Sequence, residues 1–573
     1  MLQTKCLTEY STYYCYNFKK GREKWGERDG SLEYKERDLR VVISTCEGAE
    51  RYRNTRRVAH EDEISAILME MTYFQQYPDR IYRKEIVGDL LKRKAIAGFY
   101  KGTQPTKKTI LLLSHYDVVG VEDYGRLAPL AFSPLECTSA MVEENLSADA
   151  ENDLKSGEWL FGRGIMDMKA GLAIQMALLS EAAEKGDLEH NLLFLATPDE
   201  ERYSAGMFAG VELIKEIREQ YQLEIDVAIC SEPSFSAYPG DRAKYFYTGS
   251  VGKLLPLIYC VGTETHVGEP LEGLNAAWMA GVLAERLELS LDFLEHKFGE
   301  QNPLPTILKL MDLKEAYNVQ TPTSAYVLAN ILTLTQNPEE VLDKLKAIGE
   351  ESSQYIEERL SSIYRSLGYG EHESNKKVKK PKVYTYDQLY KKGIAEYGEA
   401  FAKDIKAKIA LLEQDTGANM AKLTAEIADV VSGYFKSEAP FYMILLSPPY
   451  YPHVYLEDDE RDQKAKHIVQ ECIRLAEEQF NEKVEIKSYF PGLSDVSYCR
   501  LRDRNLVMTA LENEMPLYGK GYNLPLSVIG ELDIPAVNIG PYGKDAHKRT
   551  ERLHIPFSTE VVPKLLKHAV YGY

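Results

Sequence analysis

Several features are missing from this 573-residue chain, and each absence narrows what it does. No stretch approaches the roughly 18 consecutive apolar residues of a membrane-spanning helix, and the opening MLQTKCLTEYSTYY lacks the basic segment and apolar core of a secretory leader. A cytoplasmic protein with no membrane partner is expected. The eight cysteines (Cys6, Cys15, Cys46, Cys137, Cys230, Cys260, Cys472, Cys499) include no C-x-x-C pair, which indicates neither a disulfide framework nor a thiolate metal knuckle. They read as reduced, mostly structural thiols. Positive charge is also in deficit: 69 Lys and Arg against 88 Asp and Glu leave a net of −19, which argues against nucleic acid as the main partner. No internal repeat or long low-complexity tract stands out. The remainder, 44% hydrophobic and 27% charged, is ordinary for a globular protein, and the length exceeds what a single core usually serves.

Four short apolar runs read as buried strands of a parallel sheet: TILLL at 109–113, NLLFLA at 191–196, DVAIC at 226–230 and AVNI at 536–539. They lack alternation, as strands covered by helices on both faces do. The helical pattern MKAGLAIQMALLSEAAE at 168–184 lies between them, so the order is that of an α/β domain. The first and last runs are over 400 residues apart (536 − 109), so something is inserted. Residues 249–367, with the strand-like KLLPLIYCVG, a helix near 275–295 and the charged amphipathic NPEEVLDKLKAIGEESSQYIEERL, read as a second, smaller domain. An exposed loop and Lys/Glu/Ala-rich helices follow at 368–437, with the basic run at 376–382 read as a solvated loop. The first domain then resumes over 438–573. It begins within 1–248, of which the first sixty residues fit no clear pattern.

Each proposed strand is followed by metal-binding residue types: His115 and Asp117, Asp199-Glu200-Glu201, Glu232, and His547 beyond Gly-Pro-Tyr-Gly. In open α/β sheets ligands collect outside the carboxyl ends of strands. In H-x-D the period of two puts His115 and Asp117 on one side, so the aspartate can accept one imidazole N–H while the other nitrogen holds metal; a polar strand end capping a turn would look the same. Asp167, in GRGIMDMKAG, immediately precedes a helix. It is either an N-cap or a carboxylate able to bridge two cations. Glu200 and Glu201 would repel unless a cation or proton separates their roles, one ligating and the other handling a proton, although a solvated acidic turn has the same composition.

The ordered set SHYDVV, FGRGIMDMKAG, TPDEE with Gly206, SEPS, THVGEPLEGLNAA and GPYGKDAHKRTERL, spanning about residues 109–557, resembles the co-catalytic zinc metallopeptidases that include aminoacylase, the glutamate carboxypeptidases and succinyl-diaminopimelate desuccinylase. The resemblance is fullest with a long, arginine-utilisation subgroup. It implies a zinc-peptidase-like α/β catalytic domain, with a mostly parallel sheet flanked by helices, and an inserted α+β lid and dimerisation domain. It also implies two zinc ions per subunit, with Co2+ or Mn2+ able to substitute. Asp167 would bridge the ions, with His115 and Glu232 on one and Glu201 and His547 on the other. Glu200 would be the general base, and His547 is preferred to His554 because it opens the H-x-x-x-E run ending at Glu551. His266 matches the inserted-domain histidine that reaches a neighbouring subunit's site and helps hold the substrate oxyanion, and Asn275 matches a substrate-binding asparagine. Two departures stand out. The stretch NILTLTQNPEEV lacks the arginine of the family's D-x-R strand, which binds a substrate carboxylate, and 370–436 is longer than the family minimum.

The expected reaction is hydrolysis of an amide in a peptide or N-acyl amino acid by metal-activated water, in a homodimer. A two-metal phosphohydrolase is the alternative enzyme, disfavoured by two ligand histidines and by the absence of a phosphate-binding glycine loop near the site. A catalytically silent binding protein on the same scaffold is the other.

Overall fold

The computed structural model describes residues 60–573 except 235, 237, 239, 242, 315–317, 369–378 and 411–418. The first 59 residues, most of the loop expected near 368–382, and Cys6, Cys15 and Cys46 therefore lie outside the described residues. The other cysteines are buried and unpaired.

The chain first builds β1 (Ile81–Glu85), β2 (Lys94–Tyr100), β3 (Lys108–His115), α1 (Ala170–Lys185), β4 (Asn191–Thr197), α2 (Ala205–Tyr221), β5 (Glu224–Cys230) and β6 (Lys244–Tyr247). It then leaves for a second sheet, with β7 (Gly252–Val261), α3 (Ala276–Leu287), β8 (Thr306–Asp312), β9 (Ser324–Thr333), α4 (Pro338–Ser366), β10 (Lys382–Thr385), α5 (Met420–Tyr434) and β11 (Phe441–Tyr451). It returns with α6 (Glu460–Phe480), β12 (Val484–Lys487), β13 (Ala536–Asn538) and α7 (Val562–Tyr571).

The first sheet has the order β1-β2-β4-β3-β5-β13-β6-β12. The four expected apolar runs lie side by side at its centre and are mutually parallel; antiparallel pairings join β1 to β2, β2 to β4 and β13 to β6. The absence of alternation in β3 has the expected cause. Leu111 and Leu113 pack with Met207, Val211 and Ile214 of α2, while Ile110 and Leu112 pack with Leu172, Met176 and Leu179 of α1 and with Ile468 and Leu565. Both faces are dry, and each aliphatic side chain so buried is worth about 1.5–3 kcal/mol.

The second sheet has the order β8-β9-β7-β11-β10. It is covered on both sides: the Tyr259 hydroxyl donates to Asp429 of α5 at 2.6 Å, and the Tyr442 hydroxyl to the Met279 carbonyl of α3 at 3.1 Å. Tyr442 pairs with Cys260, whose neighbour Tyr259 faces the other way. Helix α4 opens with a capping box between Asn337 and Glu340 and with Pro338 in its first turn.

Two expected boundaries move. Residues 438–451 were expected to resume the first domain, but β11 runs antiparallel to β7 from Phe441 opposite Val261 to Tyr451 opposite Lys253. The run FYMILLSPPYY is buried at every residue, which suits a central strand of either sheet. Residues 368–437 were expected to be a separate helical insertion. Instead they supply β10, which pairs with β11, and α5, which covers one face of the same sheet.

Candidate metal centre

The expected ligands converge at the carboxyl ends of the central strands of the first sheet. His115 is the last residue of β3, Glu200 and Glu201 follow β4, and Glu232 follows β5. His547 is carried by the loop after β13, which is tied down by a small sheet pairing 543–544 with Arg552–His554 and that strand with Trp159–Phe161. Close approach of these segments requires glycine in two places. A Cβ on Gly171 would lie 2.1 Å from the Ser231 carbonyl oxygen, and one on Gly540 would lie 1.9 Å from that of Glu232. Either would displace the backbone that carries Glu232.

Asp167 is not an N-cap. It sits inside an irregular turn (φ −116°, ψ 98°), and the residue preceding α1 is Lys169, which makes no side-chain cap. The Asp167 carboxylate instead faces both histidines: Oδ1 is 3.4 Å from His115 Nε2, and Oδ2 is 3.2 Å from His547 Nε2. Glu232 Oε1 lies 3.7 Å from His115 Nε2, and Glu201 Oε2 lies 3.0 Å from His547 Nε2. Two groups result, His115–Asp167–Glu232 and Asp167–Glu201–His547, each offering ligand atoms within 4.8 Å of one another. The His115 side chain is 1% exposed and that of His547 50%, so one group is enclosed and the other opens to solvent. Glu200 Oε2 is 3.9 Å from His115 Nε2.

The Asp117 contact differs from expectation. His115 Nδ1 is 3.2 Å from the Asp117 backbone carbonyl but 3.6 Å from its carboxylate. The carboxylate accepts instead from the backbone N–H groups of Glu200 and Glu201, at 3.1 and 3.2 Å, and so fixes the loop that bears both glutamates.

These residues fit divalent cations. His115 Nε2, Glu200 Oε1 and Glu201 Oε1 are buried without a hydrogen-bond partner among the described residues, a costly state for polar atoms unless a ligand satisfies them. Burial pushes the Glu200 carboxyl well above its ordinary value and Glu232 up to about 7. Burial would raise Asp167 as well, but the His115 and His547 imidazoles that face it hold it below the usual carboxylate range. Hydrogen bonding to Asp167 and Glu201 raises His547 to about 10. Without metal, then, protons do the work of neutralisation.

Two expected residues are not brought to this cluster. His266 is exposed on the second domain, where its Nδ1 accepts from the Gly268 N–H at 3.0 Å. Asn275 is the N-cap of α3, its Oδ1 accepting from the Ala277 N–H at 2.8 Å.

Other residues of the site were not singled out from the sequence. Arg163, fully buried in the GRG turn, donates to Glu551 Oε2 at 2.8 Å, to both Asp123 oxygens at 2.7 and 2.9 Å and to the Gly120 carbonyl at 3.0 Å. It thus joins the Asp167 turn to the His547 loop, and the GRG and H-x-x-x-E runs were its only signal. Arg552 braces the same loop against Asp153 and Asp149 at 2.7 and 2.6 Å. This bracing holds His547 at φ +63°, a left-handed conformation uncommon outside glycine. Asp495, buried at the start of a 3-10 turn (Asp495–Tyr498), accepts from the Thr197 hydroxyl at 2.6 Å, and its charge acts on Glu200. Burial raises it to about 7, and no periodicity or motif marked it.

The profile of peptidase family M20/M25/M40 matches residues 111–513. The chain is 37% identical over 528 residues to the uncharacterized protein YqjN of Bacillus subtilis, covering 90% of this chain and 92% of that one. It is 31% identical over 512 residues to protein RocB of the same organism, covering 88% and 89%. A succinyl-diaminopimelate desuccinylase of Wolinella succinogenes is 32% identical over 193 residues, which is 32% of this chain and 47% of that one. Among solved structures, an M20 family metallo-carboxypeptidase, Sso-CP2 of Sulfolobus solfataricus, superposes with a TM-score of 0.50 at 13% identity, covering 93% of this chain and 98% of that one.

Two outcomes follow from the shared carboxylate and the protons it organises. Asp167→Ala should lower bound divalent metal to less than about half of the wild-type content, measured by elemental analysis after gel filtration; wild-type content retained would refute the shared-ligand geometry. Metal uptake should also expel protons. With His547 raised to about 10 and Glu232 to about 7, His547 is protonated and Glu232 partly so at neutral pH, and a cation must displace those protons, so affinity should rise with pH between 6 and 8. Calorimetry in buffers of different ionisation enthalpy measures that release, and affinity independent of pH would contradict it.

Proposed function

Because the chain belongs to peptidase family M20/M25/M40, and is thereby a hydrolase of amide bonds, we propose that it uses two zinc ions to cleave an amide in a small amino-acid-derived substrate, a peptide or an N-acyl amino acid. The observation that carries this reading is the division of the Asp167 carboxylate, one oxygen toward His115 and the other toward His547. His115 and Glu232 would complete one ion's shell, and Glu201 and His547 the other's. Ions bound there would supply Lewis acidity, acidifying a water and polarising the substrate carbonyl. Co2+ or Mn2+ suits the same donors.

Glu200 is the general base of this reading. Its carboxylate takes a proton from the attacking water and returns it to the leaving amine, and its place beside His115 but in neither ligand group supports that role over ligation. Asp117 holds His115 and the backbone of Glu200 in register. His266, exposed on the second domain, serves the oxyanion in the site of a second subunit, and Asn275 offers its amide N–H groups to substrate while its oxygen caps α3. The resemblance to an arginine-utilisation subgroup favours arginine and ornithine derivatives within the substrate class. Turnover of the zinc-loaded protein against N-acyl amino acids and dipeptides, including those derivatives, tests the reading; release of free amine is expected, and its absence across the panel would sink it.

Glu200→Gln should keep both metals and the fold while kcat falls by about 10²–10⁴, the usual worth of general-base assistance. More than about a tenth of wild-type kcat would remove the role. His266→Ala should bind metal normally and be nearly inactive. Mixing it with Glu200→Gln under subunit exchange should restore activity, because each mixed dimer then holds one site with both groups intact. A dead mixture in which mixed dimers demonstrably form would place the histidine's action within its own chain, or nowhere.

A further inference from the structure

Lys253 is the second residue of β7, at the root of the second domain, paired with Leu332 on one side and Tyr451 on the other. Its ammonium lies 5.9 Å from the centre of the Tyr451 ring. The Tyr451 hydroxyl is 3.1 Å from the Ser204 hydroxyl, and Ser204 belongs to the loop of Asp199, Glu200 and Glu201, its N–H donating to the Asp199 carbonyl at 2.7 Å. The root of the second domain is therefore joined directly to the loop of the general base. Lys253 is partly buried, yet among the described residues no carboxylate lies within ion-pair distance of its ammonium and no acceptor hydrogen-bonds it. Burial lowers its pKa, and the one acidic charge that reaches it is that of Glu200. A lysine in such surroundings ordinarily finds an anionic partner or extends to water.

We propose that the Lys253 ammonium is a specificity-determining group that binds the free carboxylate of the substrate, on the side of the scissile amide next to Glu200. The second sheet lacks the arginine that would otherwise receive such a group, since β9 and the residues after it read NILTLTQNPEEV. The Tyr451 ring faces the ammonium itself, and the buried pair of Tyr451 and Tyr498, with ring centres 5.2 Å apart, makes that side apolar, where a charge pair is stronger than in water. The substrate class narrows to amides of amino acids whose α-carboxylate is free: N-acyl amino acids and the carboxyl-terminal bond of short peptides. This inference rests on the metal-dependent amide hydrolysis proposed above.

The test compares N-acyl amino acids with their carboxamides on zinc-loaded wild type, Lys253→Met and Lys253→Arg. Lys253→Met should raise KM for the free acids about 10- to 100-fold, the usual range for one charged hydrogen bond, with kcat little changed and KM for the carboxamides unmoved. Lys253→Arg should recover most of the loss. Equal KM increases for acids and carboxamides, or a fall in kcat on both, would overturn the proposal, the second result marking an oxyanion or structural role. A binding measurement separates this failure from that of the parent reading. In zinc-loaded Glu200→Gln, N-acetylarginine should bind more tightly than N-acetylargininamide, and the preference should vanish when Lys253→Met is added. No preference in Glu200→Gln overturns the lysine's role whatever the wild type hydrolyses. Preference without turnover by the wild type faults the hydrolase reading alone.

Discussion

The feature on which the rest of the structure depends is an excess of buried negative charge. Asp167, Glu200, Glu232 and Asp495 are all buried at one end of one sheet, with Glu201 beside them. Away from water the repulsion among such groups grows steeply, and leaving them ionised without partners is prohibitive. The surroundings are built around that problem. Asp117 takes two backbone N–H groups, Arg163 bridges the Asp167 turn to Glu551, and glycines let the Glu232 segment approach closely. Two histidines face the shared carboxylate, and what remains is a demand for cations or protons.

Much of this was legible in the sequence, for identifiable reasons. Strands β3, β4, β5 and β13 announced themselves because helices cover both faces, leaving uninterrupted apolar runs. The candidate ligands His115, Glu201 and Glu232 were visible because they stand shortly after those runs, whereas His547 stands farther on, beyond Gly-Pro-Tyr-Gly. Asp167 was ambiguous, since a helix N-cap and a bridging ligand both call for a short carboxylate before a helix, and only the irregular turn separates the two. Asn275 carries the same ambiguity, and its cap is plainly present.

Other features left no trace in the pattern. An apolar strand looks alike in either sheet, so β11 could not be assigned to the second domain without its partner β7. Asp495 opens a single 3-10 turn, Asp495–Tyr498, too short to carry a readable period. The nearness of Lys253 to Glu200 depends on two chain segments meeting through Tyr451 and Ser204, a contact between residues 247 positions apart.

The place of β13 has a consequence for how the protein comes into being. This strand lies between β5 and β6, both of which are complete about 300 residues earlier in the chain, at Cys230 and Tyr247. At roughly 5–20 residues per second of synthesis, the slot beside β5 stands open on the ribosome for roughly 15–60 seconds before the segment that fills it emerges. His547 arrives only after that segment. The second metal group is therefore completed only after that strand has emerged, and a truncated product leaves a bare strand edge in the middle of its sheet, the kind of surface on which aggregation starts.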